Sequence, residues 1–160
     1  MKEIADNLAE ICFGTMDSWV IYNLTGNYFT DVTNASRTFL MDIKELKWSQ
    51  ALLKEFGVTE ENLPKIAPSC HDFGTITEGP LKGLKITGCL GDQQAAAVGH
   101  GVFTPGDVKN TYGTGCFLLA NTGTEMKEIP GLITTVCYQL GSDQPVVYAL
   151  EVSSSMLICF

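Results

Sequence analysis

A chain of 160 residues, 45% hydrophobic and 18% charged, has the composition of a globular α/β protein and not of a disordered one. Its formal charge of −8 excludes nucleic acid or an anionic membrane as the principal partner, since both call for clustered Lys and Arg and the sequence has no such cluster. Its apolar runs are too short to span a bilayer, so membrane insertion is not expected either.

In chain order, the first eleven residues, MKEIADNLAEI, are acidic and helix-forming, with Ile4, Leu8 and Ile11 on one face. They resemble neither a secretory nor a transit sequence, which sets a cytoplasmic compartment as the expectation. After Gly14, Thr15 or Asp17 can cap a second helix that carries Trp19, Val20 and Leu24 and stops at Gly26. Trp19 is expected to anchor the core, as large aromatics at helical spacing usually pack. The polar run YFTDVTNASRT reads as a loop in which Asp31 and Arg37 can pair.

Residues 42–57 are amphipathic, with Leu46, Trp48, Leu52, Leu53 and Phe56 near helical spacing, an N-cap at Ser49 and a stop at Gly57. A short helix and an extended turn through Pro64 and Pro68 follow. His71 and His100 each lack a second ligand at metal-binding spacing, and the six cysteines form no C-x-x-C pair. Metal sites are therefore not expected, and the thiols read as reduced and buried.

The chemistry concentrates in residues 85–117, KITGCLGDQQAAAVGHGVFTPGDVKNTYGTGCF. A strand, a glycine turn and an alanine-rich helix over 93–98 place Asp92 at a strand-to-helix junction. There it can cap the helix, or it can take a proton from a bound hydroxyl, because ligands of open α/β sheets gather at the carboxyl ends of strands. Residues 109–117 read as two strands joined by a glycine bend, Gly113-Thr114-Gly115, which is either an ordinary hairpin or a phosphate-binding turn. Three further β segments, FLLANTG, GLITTVCYQLG and VVYALE, suggest a meander or mixed sheet.

GDQQAAAVGHG followed by KNTYGTGCFLLANTG closely resembles the glycerol kinase branch of the FGGY carbohydrate kinases. FGTMDSWVIYNLTG, TDVTNASRT, GLITTVCYQLG and VYALE agree, so the likeness extends from about Cys12 to Glu151. It implies the actin-like ATPase (ribonuclease H-like) fold in part: residues 1–103 as the end of a first, substrate domain and 104–160 as the start of a second, nucleotide domain. It also implies ATP-dependent phosphorylation of glycerol to glycerol 3-phosphate, assisted by Mg²⁺.

By the same resemblance Asp92 is the catalytic base and a polyol ligand, Gln93 a neighbouring polyol contact and Phe117 an apolar wall for the glycerol carbons. Thr114 is a nucleotide phosphate contact in a turn shaped by Gly113 and Gly115. Homo-oligomers and, in some animal relatives, a mitochondrial-surface association belong to the same picture. Four departures stand against it. The family's N-terminal phosphate segment is missing, the Arg-Glu pair and Tyr that hold the polyol are missing, the C-terminal glycines and Asn around the adenine are missing, and Val152 replaces the glycine of YALEG. The 160 residues are accordingly expected to lack turnover alone, and the other readings are a non-catalytic interaction partner or a kinase for another polyol.

Overall fold

The computed structural model describes residues 11–113 and 115–155. The expected N-terminal helix falls on residues 1–10 and Thr114 on the other gap, so both lie outside the described residues. The chain forms α1 (Met16–Thr25), β1 (Phe29–Asp31), α2 (Val32–Ala35), β2 (Met41–Asp42), β3 (Lys47–Trp48), α3 (Gln50–Phe56), a 3₁₀ turn (Glu60–Asn62), β4 (Lys65–Ala67), β5 (Cys70–Thr75) and β6 (Lys85–Gly88). It continues with α4 (Asp92–Gly99), β7 (Val108–Tyr112), β8 (Gly115–Gly123), β9 (Ile133–Tyr138) and β10 (Val147–Ser155).

Local signals account for most of these limits. Ser49 caps α3 by accepting from the Leu52 amide, and Gly57, at φ +68°, closes it in the left-handed conformation that glycine adopts without strain. Gly26 closes α1 in the same way. Residues 42–48, in contrast, are not helical. Asp42 Oδ1 accepts from the Lys44 and Glu45 amides at 2.9 and 3.1 Å, and this Asx-type turn folds β2 onto β3.

The largest sheet is antiparallel, in the order β7-β8-β10-β9. A meander would have kept β9 beside β8. Instead β10 takes the interior position, in keeping with Tyr148, Ala149, Leu150 and Glu151, four consecutive residues that are all buried. In that position the backbone groups of β10, which burial cuts off from water, are paired along both edges. The first part of the chain contributes a parallel pair, β1 with β4, and two antiparallel pairs, β2 with β3 and β5 with β6.

One apolar cluster joins Val32, Ala35, Met41, Trp48, Leu53 and Leu63 to Val136 and Tyr148, across the turn at 101–107. Polar contacts cross there too. The Tyr148 hydroxyl donates to the Ile43 carbonyl at 3.0 Å, and the Ser69 amide to the Gln139 carbonyl at 2.8 Å. Trp19 is not the expected core anchor: it is 64% exposed on the open side of α1, whereas Trp48 is buried and donates Nε1–H to the Pro64 carbonyl. His71 lies in β5 and meets Phe29 and Phe73 edge-on, so it belongs to an aromatic cluster and not to a loop. The thiols are free, as expected, among the described cysteines, but Cys12 and Cys70 are exposed and only Cys137 is fully buried.

Candidate functional site

The strand-to-helix junction has the predicted form, with one difference. The N-cap of α4 is Gly91, and Asp92 is the first helical residue. Its carboxylate is exposed and, among the described residues, accepts only from its neighbour: Oδ1 from the Gln93 amide at 2.8 Å and Oδ2 from Gln93 Nε2 at 3.3 Å. Most of its lone-pair capacity is therefore directed to solvent. A carboxylate in the first turn of a helix also interacts favourably with the helix dipole.

Glycine at 91 has a steric reason. A Cβ there would sit 2.6 Å from Oε1 of Gln94, a buried side chain whose Nε2 reaches the Val136 carbonyl at 3.4 Å. The Gly91 amide donates to Thr33 Oγ1 at 2.8 Å, which ties the junction to α2. These contacts fix the backbone on the N-terminal side of Asp92 while leaving its side chain free.

Opposite α4, β7 and β8 form the predicted hairpin. Tyr112 pairs with Cys116, and the Gly113 amide closes the bend on the Gly115 carbonyl at 3.0 Å. Gly113 is exposed and Gly115 half-buried, and the Gly113 N–H is spent on the turn. Phe117 is half-buried and pairs with Thr111, hence on the same face of the sheet.

The contact between helix and hairpin is made by a residue that the sequence pattern did not single out. Lys109, 4% exposed, donates its ammonium to Gln93 Oε1, to Thr111 Oγ1 at 2.9 Å and to the Phe117 carbonyl at 3.5 Å. Asp92, Gln93 and Phe117 are thus linked through one cation. Burial pulls the Lys109 pKa below the ordinary lysine value, while the negative charges of Glu151 and Asp92 oppose the shift. The available signal was an inverted strand: Val108 and Tyr112 of β7 are 51% and 78% exposed, and Lys109 lies inside.

The other acidic group near α1 has a different character. Asp17, Asp31 and Cys89 bring ligand atoms within 4.8 Å of one another. Asp31 is fully buried and accepts from the amides of Thr33 and Asn34, from the Thr33 hydroxyl, from Asn34 Nδ2 and from Ser69 Oγ. Asp17 accepts from the hydroxyls of Thr15 and Thr30 and from the Cys89 thiol. Burial, then the charges of Asp31 and Asp17, push that thiol up, away from the thiolate a metal needs. Asp31 does not pair with Arg37, which instead bonds Glu151 Oε1 at 3.2 Å.

Residues 1–99 match the FGGY family of carbohydrate kinases, N-terminal domain. A glycerol kinase from Nocardia farcinica is 56% identical over 143 residues, covering 89% of this chain and 28% of the relative. Among solved structures, Plasmodium falciparum glycerol kinase with ADP superposes at a TM-score of 0.84 with 44% identity, over 89% of this chain and 29% of that one. A ligand-bound xylulose kinase from Lactobacillus acidophilus, at 24% identity, shares the fold with a TM-score of 0.72 over 84% of this chain and 28% of its own. The chain thus spans under a third of the length of the relatives it matches. Its α/β architecture is part of their actin-like ATPase fold, and the chain belongs to the FGGY family of carbohydrate kinases.

Proposed function

We propose that these residues supply the polyol-binding half of a glycerol kinase site, in which Asp92 orients a terminal hydroxyl of glycerol for attack on the γ-phosphoryl of ATP, giving glycerol 3-phosphate. The observation that carries this reading is the open Asp92 carboxylate with the Gln93 amide beside it. A carboxylate can accept from two hydroxyls, an amide can donate to one, and Phe117 on the facing strand can cover the C–H side of a small polyol. The nucleophile is positioned first and gives up its proton to Asp92 late, since phosphoryl transfer depends mainly on alignment and charge stabilisation.

The nucleotide's phosphates belong at the Gly113–Thr114–Gly115 bend, whose glycines allow close approach. Mg²⁺ supplies neutralisation of the phosphate charge when bound. Among the described residues the three-membered acidic cluster is already satisfied by Ser, Thr and Asn donors, so the ion would come on the phosphates. A division at 103/104 into substrate and nucleotide parts is supported by the family match ending at residue 99 and by the Gly/Pro turn at 101–107. No described helix is long and apolar enough to cross a membrane, and we place the protein in the cytoplasm.

General-base help is worth about 10²–10⁴ in rate, and holding both reactants can contribute more. A chain this short relative to its relatives is expected to bind polyol weakly and to give no family-like turnover alone. Saturation-transfer NMR should detect glycerol on the unmodified chain and not on Asp92→Ala; equal signals from both would refute the assignment. Steady-state production of glycerol 3-phosphate at family-like rates would overturn the expected inactivity. A second reading, a non-catalytic partner for a longer relative, is favoured by the apolar face of α1, where Met16, Trp19 and Tyr22 are 76%, 64% and 56% exposed.

A further inference from the structure

Behind Asp92 lies a row of buried groups that glycerol binding does not by itself require. Lys109, Leu119 and Glu151 are paired across β7, β8 and β10, so the lysine and the glutamate share a sheet face on either side of Leu119. Glu151 is 2% exposed; its Oε1 takes Arg37, and its Oε2 is buried without a hydrogen-bond partner among the described residues. The charges therefore alternate, Arg37, Glu151, Lys109, Asp92, from the first part of the chain into the sheet and back to α4.

An orphaned carboxylate oxygen and a buried lysine are both costly, and an apolar pair at these two positions would often be no less stable. Stability alone thus gives no reason for them. The geometry at Gln93 does. An amide can face Asp92 with its oxygen, which the carboxylate repels, or with its nitrogen, which it attracts. With Oε1 engaged by the Lys109 ammonium, Nε2 is the end left facing Asp92 Oδ2.

We propose that Lys109 is a positioning residue: its ammonium fixes which end of the Gln93 amide meets Asp92 and the ligand hydroxyl, and Glu151, steadied by Arg37, holds that ammonium in place from behind. This deepens the polyol reading and rests on it only for the identity of the ligand. The groups facing Lys109 are Glu151 on β10, Asp92 on α4, Thr111 on its own strand and the Cys137 thiol on β9, which burial pushes up to about 11.

The test is NMR of the Gln93 side-chain amide in the 160-residue chain, without ligand. In the unmodified protein this resonance should shift as the lysine loses its proton at alkaline pH, and a Cys137→Ala background removes the thiol that titrates in the same range. Lys109→Met, which keeps the stem length, should move the amide towards its free-glutamine position with the rest of the spectrum unchanged. Glu151→Gln should give a smaller shift in the same direction, and Lys109→Arg should restore part of it.

Glycerol affinity, read in the same spectra, should fall about tenfold in Lys109→Met, the equivalent of roughly 1.4 kcal/mol. An amide resonance unmoved by both the alkaline titration and Lys109→Met overturns the proposal, and the titration decides alone if the variant does not fold. Failure of glycerol to perturb the unmodified chain would sink the ligand reading, while the amide shifts would still decide the role of Lys109.

Discussion

Asp31 and Asp92 both stand at the starts of helices, and their surroundings assign them opposite work. Asp31 caps the single turn of α2, is fully buried and is saturated by donors from Thr33, Asn34 and Ser69. Asp92 opens α4, is exposed and, among the described residues, takes hydrogen bonds only from the residue after it. A carboxylate with every lone pair engaged is a structural element, whereas one facing water with rigid backbone behind it can accept a ligand. What separates the two is the supply of donors around them, since both sit at a helix start next to small or polar residues.

The contrast makes quantitative demands. Asp31→Ala strands a set of buried donors and should lower unfolding stability most, by about 3–4 kcal/mol in urea denaturation. Arg37→Ala takes the hydrogen-bonded partner from a buried carboxylate; since the arginine is itself 38% exposed and Lys109 still faces Glu151, about 2 kcal/mol is expected, below the range for a fully buried pair. Asp31→Asn keeps the shape and some acceptors and should cost about 1–2 kcal/mol. Asp92→Asn should change stability by no more than about 0.5 kcal/mol while abolishing the glycerol signal. Comparable losses from the two Asp→Asn changes would erase the distinction drawn between the sites.

Acidity sharpens it further. Burial raises the Asp31 pKa in the folded chain, only partly offset by its hydrogen bonds. The folded state then binds this proton more readily than the unfolded state, so this group's contribution is full below the unfolded carboxylate value and is drawn down as pH rises through the folded one. The penalty of Asp31→Asn, which mimics the neutral form, should therefore shrink as pH climbs from about 4. A penalty that grows over that range would contradict the assignment.

What could be read from the sequence was local. The cap at Ser49, the stops at Gly26 and Gly57, the helix after Asp92 and the hairpin around Gly113 each depend on a few neighbouring residues, and all of them form. What could not be read was set by distant partners. Arg37 meets Glu151 from 114 positions away, and β10 comes to lie between β8 and β9. Lys109 was missed because alternation along β7 favours turning Val108 and Tyr112 inward, and only the acceptors on α4 and β8 invert that choice. Trp19 was placed in the core for a related reason: helical spacing predicts a face, but which face is covered depends on elements elsewhere in the chain.

The apolar cluster that runs from Val32 and Trp48 to Val136 and Tyr148 ignores the Gly/Pro turn at 101–107. Cutting that turn with a protease should therefore not release two independent pieces. The fragments should stay together as a non-covalent complex and melt in a single transition, because each holds half of the same interior. A relative movement of the segments before and after that turn would have to pivot on this shared interior and could not open it.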